Sequence, residues 1–187
     1  MPKREAKALA RGSGALVRIG VVWDMVGHIG PRSPEADGHM IFAGEFAHRV
    51  DAQGRVSIPA RFRPAFADGA ILSRAYDRCI ALYTPEEWEK VAADIAARPM
   101  TQAIARKLAR LTFSGAFPTT LDRQGRVLLP PALRQYAGLG EEVVIAGAGR
   151  VLEIWNKTSW QRERQALDDT AAQIAERAAG PAGVEGG

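Results

Sequence analysis

One stretch of this chain is written twice. Phe42-Ala43-Gly44-Glu45-Phe46 returns 71 positions later as Phe113-Ser114-Gly115-Ala116-Phe117. At the same offset, Val50-Asp51-Ala52-Gln53-Gly54-Arg55-Val56-Ser57-Ile58-Pro59 returns as Leu121-Asp122-Arg123-Gln124-Gly125-Arg126-Val127-Leu128-Leu129-Pro130, and Arg63 is matched by Arg134. Beyond Phe66 the offset becomes 72, so that Ile71-Leu72 answers to Val143-Val144, Ile80–Tyr83 to Leu152–Trp155 and Trp88 to Trp160. One single-residue indel between Phe66 and Ala70 accounts for the change. A repeated unit this short cannot bury enough apolar surface by itself. Two copies must share a core, or each must pair with another subunit. The repeat therefore predicts tight intramolecular pairing together with oligomerisation.

Within each unit the local signals are β-rich. Glu45–Val50 reads as a strand, followed by a turn at 52–54 in which Gly54 supplies the positive φ of a tight hairpin. Arg55–Ile58 is the next strand, and Pro59 opens a short helix over Pro59–Phe66. Ala70–Arg74 and Cys79–Tyr83 are strands joined by a turn at Asp77-Arg78. Thr84-Pro85-Glu86-Glu87 is a helix start, with Thr as N-cap, Pro in the first turn and acids beside it. The helix it opens buries Trp88, Val91 and Ile95. Copy two repeats each step: the turn at Asp122–Gly125, a short helix over Pro130–Ala137 stopped by Gly138 and Gly140, and Asn156 ahead of a last helix. The domains expected are 45–92 and 116–159, joined by a helical linker over 93–112 and followed by a C-terminal helix over 160–179 and a disordered tail over 180–187. The linker carries Ile104, Leu108 and Leu111 on one face, expected to pack, and Arg98, Arg106, Lys107 and Arg110, expected in solvent. Residues 1–39 are read as a disordered N-terminal extension or as the product of a start codon placed ahead of Met40, the second reading being preferred.

Composition narrows the function classes. The chain has 187 residues, 47% of them hydrophobic and 25% charged, with a net charge of +4, values ordinary for a globular protein. Cys79 is the single cysteine, so neither an intramolecular disulfide nor a cysteine-based zinc site can form. Set mid-strand opposite Leu152 of copy two, it is read as core. His28, His39 and His48 have no metal-ligand spacing. No cofactor, metal or small-molecule substrate is expected, and no apolar run is long enough to cross a membrane; the reducing cytoplasm is the default compartment. There is no glycine-rich phosphate loop, nucleophile elbow or metal-ligand run, and the repeated aspartates lie in arginine-rich turns, so an enzyme is not expected.

The Asp-x-x-Gly-Arg-Val-x-(Ile/Leu)-Pro motif resembles the swapped-hairpin superfamily of AbrB-like and MazE-like DNA-binding domains. Two such motifs in one chain, each with a Phe-x-Gly entry and Tyr/Trp plus Trp endings, are similar to the MraZ family from Met40 to about Trp160. The resemblance implies a mainly β fold with short helices (α+β). It would be a tandem, pseudo-twofold AbrB/MazE-like double-psi or swapped-hairpin barrel in a ring-forming oligomer. It also implies a transcriptional regulator of the division and cell-wall gene cluster, associated with the nucleoid, that binds G-rich direct repeats in the promoter of its own gene. In the family the arginine of Asp-x-x-x-Arg is tied to DNA contact, which implies Arg55 and Arg126 here. Arg63 and Arg134 match a basic position on the helix after the proline, and Arg49 matches a basic residue ahead of the aspartate, where copy two has Thr120.

The residues give these positions a physical sense. Arginine presents a fork of donors that matches a guanine edge or a phosphate, and a two-stranded ribbon fits the major groove. Arg49, Arg61 and Arg63 add charge near copy one, and Arg123 and Arg134 near copy two. Asp51 and Asp122 would repel phosphate, so their expected role is to brace the turns or orient Arg55 and Arg126, with Gly54 and Gly125 serving backbone geometry. Structural ion pairing is the alternative reading of the Asp/Arg pairs, and a solvated helix face that of Arg61, Arg63 and Arg134. The alternative functions are an oligomeric scaffold and an antitoxin-like protein-binding module. For the latter, Leu167 and Ile174 are the main apolar anchors of an otherwise Ala/Gly-rich tail.

Overall fold

The outer strand of each repeat completes the sheet of the other repeat. The computed structural model describes residues 40–178; the readings made for 1–39 and 180–187 lie outside the described residues. Copy one comprises β1 (Glu45–Arg49), β2 (Arg55–Ser57), a 3-10 helix (Ala60–Phe66), β3 (Ala70–Arg74), β4 (Ile80–Tyr83) and α1 (Pro85–Ala96). After α2 (Ala103–Phe113), copy two comprises β5 (Phe117–Thr119), β6 (Arg126–Leu128), α3 (Pro131–Tyr136), β7 (Glu142–Gly147), β8 (Leu152–Asn156) and α4 (Lys157–Ala178). The strands form a six-stranded antiparallel sheet in the order β1-β7-β8-β4-β3-β5 and a separate two-stranded ribbon, β2-β6.

The expected hairpin between the first two strands is reduced to its turn. Only a single bridge, Val50 to Val56, joins them. Beyond it β1 runs to β7 of copy two, β2 runs to β6 of copy two, and β5 returns the exchange by pairing with β3. The registers define a pseudo-twofold axis. It passes between Val56 and Val127 in the ribbon and between Ala81 and Glu153 at the centre of the sheet, because Ile80 faces Ile154 and Leu82 faces Leu152. The sheet keeps open edges at β1 and β5, so hydrogen bonding does not close it into a barrel.

Exchange produces one core, as the size of the unit demands. Val56, Ile58, Phe62, Phe66, Leu72, Ile80 and Leu82 of copy one pack in one cluster with Val127, Leu129, Leu133, Val143, Ile145, Leu152 and Ile154 of copy two. Phe42 stacks on Phe66 with ring centroids 5.4 Å apart. Cys79 lies just ahead of β4 rather than within a strand. It is buried against Ala146 and Trp155, while Leu152 faces Leu82. Burial pushes its thiol far above the ordinary range, so it is inert as a nucleophile at neutral pH.

The helices follow their local signals with two instructive departures. The Thr84 hydroxyl accepts from Glu87 N at 3.2 Å, and α1 buries Ile95 with Trp88 and Val91 half-buried. Asn156 Oδ1 accepts from Thr158 N and Ser159 N, which starts α4 at Lys157, three residues ahead of the expected boundary. Copy one has a 3-10 helix where copy two has an α-helix, because Pro64 lies inside it and has no N–H to donate. The second departure is the linker. Of the expected face only Leu108 packs, half-buried between Ala105 and Thr112, while Ile104 and Leu111 do not. The buried residues of α2 are Ala105 and Thr112, seven apart on one stripe. Small side chains there let α2 lie close to α1 and β3, which turns Ile104 out to 71% exposure and leaves Leu111 exposed.

Candidate nucleic-acid interface

The ribbon at the pseudo-twofold brings the two repeated motifs together. Its ladder pairs Arg55 with Leu128, Val56 with Val127 and Ser57 with Arg126. Side chains alternate across a strand, and paired residues share a face. Val56 and Val127 are fully buried. Arg55, Ser57, Arg126 and Leu128 therefore form the outward face.

Each arginine is built onto its turn by the same set of bonds. Asp51 N donates to Arg55 O and Gly54 N to Asp51 O, both at 2.8 Å. Asp51 Oδ1 accepts from Gln53 N at 3.0 Å and Arg55 N at 2.8 Å, and Oδ2 accepts from Arg55 Nε at 2.8 Å. Asp122 repeats this with Gln124 N and Arg126 N, both at 2.9 Å, and with Arg126 Nε at 2.8 Å. Backbone N–H donors, first of all that of the arginine, hold both carboxyls below the usual carboxylate range, Asp122 at about 2. The carboxylates stay ionised at neutral pH, and each grips the Nε side of its guanidinium. The copies also interlock, since Arg126 Nη1 lies 3.5 Å from Asp51 Oδ2.

Arg63 and Arg134 reach across the axis. Each anchors Nε on a carbonyl of its own copy, Arg63 on Ile58 O at 2.8 Å and Arg134 on Leu129 O at 3.1 Å. The guanidinium then lies over the turn glycine of the other copy. A Cβ on Gly125 would stand 2.2 Å from Arg63 Nε, and one on Gly54 would stand 2.9 Å from Arg134 Cζ. Both glycines have positive φ, +81° and +75° in chain order. They thus serve the turn and also admit an arginine from the other half. Four guanidinium groups gather around two carboxylates, leaving a local positive excess of the kind a phosphate backbone attracts.

The other arginines singled out from the sequence have different surroundings. Arg49 pairs with Glu141, both well exposed. Arg61 donates to Ala43 O and lies 4.6 Å from the ring centre of Phe46 and 4.5 Å from that of Phe62, so it packs on the aromatic end of copy one. Arg123, exposed in the second turn, has no partner among the described residues. Sequence reasoning missed two features. The cross-axis seats of Arg63 and Arg134 had no local signal. Leu128 had one, because alternation from the buried Val127 places it outward, and it is 54% exposed.

Among the described residues no helix is long and apolar enough to cross a membrane. The family model described as "MraZ protein, putative antitoxin-like" matches twice, over residues 41–111 and 112–180. A protein of Roseiflexus castenholzii called "Transcriptional regulator MraZ" is 42% identical over 139 residues, 74% of this chain and 97% of that protein. Proteins of the same name from Herpetosiphon aurantiacus and Carboxydothermus hydrogenoformans are 44% and 42% identical over 73% of this chain and 95% and 96% of their own lengths. Two matches of one family model, falling on the two copies that exchange strands, leave a single assignment: the chain belongs to the MraZ family of transcriptional regulators, which are not enzymes.

Proposed function

We propose that this chain is a sequence-specific DNA-binding regulator of the division and cell-wall gene cluster. It binds double-stranded DNA at G-rich direct repeats in its own promoter through the outward face of the β2–β6 ribbon. The observation that carries this reading is the joint presentation of Arg55 and Arg126 on one exposed ribbon. Each is held by its turn aspartate through Nε, with Arg55 Nη2 donating to Gln53 Oε1 and Arg126 Nη2 lying 2.8 Å from Asp122 Oδ2, and each side chain is still part-exposed at the surface. A pre-oriented fork loses little freedom on meeting a guanine edge or phosphate. Arg63, Arg134 and Arg123 flank the face and supply phosphate contacts. Arg49, and Arg61 at the end of copy one, lie further out and add to the field. Asp51, Asp122, Gly54 and Gly125 position these groups without touching DNA.

The exchange of outer strands between copies agrees with a swapped-hairpin arrangement in which the units at 45–92 and 116–159 act as one reading head. A single head offers few base contacts, so repeated heads on repeated DNA would gain through effective concentration. The heads assemble in a homo-oligomeric ring, a reading supported by the exposed apolar residues along and beside α2, Met100, Ile104 and Leu111, which favour self-association. The working compartment is the cytoplasm, at the nucleoid.

The test is a titration into a fluorescent duplex carrying the upstream direct repeats of the chain's own gene, beside a scrambled duplex, at near-physiological salt. Tight repeat-specific binding, lost in Arg55→Ala/Arg126→Ala while oligomer size is unchanged, is the expected result. Equal, salt-sensitive binding to both duplexes would reduce the face to a general cation surface and sink the reading.

A further inference from the structure

The two copies are alike in their arginines and unlike in what stands beside them. Across the ribbon Arg55 is paired with Leu128 and Arg126 with Ser57. The pseudo-twofold would exchange these two pairs, so Ser57 and Leu128 occupy the same position in the two copies. Ser57 is half-buried, whereas Leu128 is 54% exposed. An apolar side chain is thus presented to solvent within an arginine face, where it contributes nothing to the core. A second difference adds to the first. The turn beside Arg126 carries Arg123, where the turn beside Arg55 carries Ala52. One end of the face is arginine plus leucine. The other is arginine plus serine with an extra cation, Arg123, that has no partner among the described residues.

Resting on the DNA-binding reading above, we infer that Leu128 is a specificity-determining residue that contacts the 5-methyl group of a thymine next to the base read by Arg55, so that the ribbon reads its site in one orientation only. The chemistry leaves little choice of target. Base edges in the major groove present donors, acceptors and one apolar group, the thymine methyl. Side chains paired across an antiparallel ladder have Cβ atoms about 5 Å apart, close enough to address neighbouring base pairs. A ribbon with identical ends would bind a site equally well in either direction. Leucine at one end and serine at the other removes that equivalence, as a reader of non-palindromic sites requires.

The experiment uses the full-length protein in its own oligomeric state. Each thymine of the duplex it binds is replaced singly by deoxyuridine, which deletes only the methyl group, and affinity is measured for the unaltered protein and for Leu128→Ser, which removes the leucine–serine difference between the two ends and leaves Arg123 in place. Burying one methyl is worth about a fourfold change in affinity. The expected result is about a fourfold loss at one or two thymines per repeat, absent in Leu128→Ser. If the unaltered protein binds specifically yet no methyl matters, or the same methyls matter equally in Leu128→Ser, the inference falls while the DNA-binding reading stands. If the unaltered protein does not distinguish its repeats from scrambled DNA, both fall. A change of oligomer size in Leu128→Ser, read by light scattering, would assign Leu128 to a protein contact and overturn the inference.

Discussion

The two halves of this molecule answer different constraints with one sequence template. Positions that face the shared core or build the turns are the same or nearly so in both copies: Asp51 and Asp122, Gly54 and Gly125, Arg55 and Arg126, Val56 and Val127. Outward positions whose side chains do not build the turns have drifted apart: Arg49 against Thr120, Ala52 against Arg123, Ser57 against Leu128, Arg61 against Ala132. The pseudo-twofold therefore constrains the inside, where each copy is the other's packing partner, and leaves the outside free to become polar. Even the retained arginines are asymmetric in detail, since Arg55 Nη2 donates to Gln53 Oε1 at 3.1 Å while Arg126 reaches across to Asp51.

The sharpest way to break the likeness of the turns is at their glycines. Gly125→Ala is expected to have the largest effect, about 3 kcal/mol or more, because a left-handed residue with a Cβ costs about 1–2 kcal/mol and that Cβ would fall 2.2 Å from Arg63 Nε. Gly54→Ala meets Arg134 at 2.9 Å and should cost about 1 kcal/mol less. Denaturant unfolding of the two variants checks the order, and equal losses would show that the arginine seats do not matter. Adding Arg63→Ala to Gly125→Ala should recover part of the loss, which a double-mutant cycle reads directly.

Next in size is replacement of the turn aspartates. Asp122→Asn should lower Tm near neutral pH, but less than Gly125→Ala. The sign with pH is fixed by the depressed carboxyl: the stabilisation is complete above the ordinary value of 3.8 and lost as pH falls through about 2. The Tm difference between Asp122→Asn and the unaltered chain should therefore close on acidification through that window. A difference independent of pH would mean the carboxylate charge plays no part.

Thr84→Ala removes a helix cap from copy one, and Asn156→Ala removes one from copy two. Each is expected to cost about 1 kcal/mol, measured by thermal or denaturant unfolding, and a cost confined to one copy would reveal unequal packing of α1 and α4. The smallest effect is at Arg49→Ala. Its ion pair with Glu141 is exposed, and such pairs contribute little, so Tm should not move. Any fall in affinity for the promoter repeats would then report a DNA contact rather than a loss of fold.

The sequence by itself determined the repeat, the two Asp-to-Arg turns with their glycines, the strand Ala70–Arg74 and, but for its first residue, the strand Cys79–Tyr83, the start of α1 at Thr84-Pro85, and a core common to both copies. Each is a local signal, carried by a glycine, a proline, a cap or a period of two. Only the tertiary structure decided which copy completes which sheet. In a repeated sequence β1 carries the same local preference for either partner, and the shared core selects β7 over β3. The same non-local choice seats Arg63 over Gly125 and Arg134 over Gly54. It also decided the face of α2, where close approach to α1 and β3 favoured the small Ala105 and Thr112, with Leu108 half-buried between them, over Ile104 and Leu111. Pairing and approach distance are properties of two segments together, and no reading of one segment alone contains them.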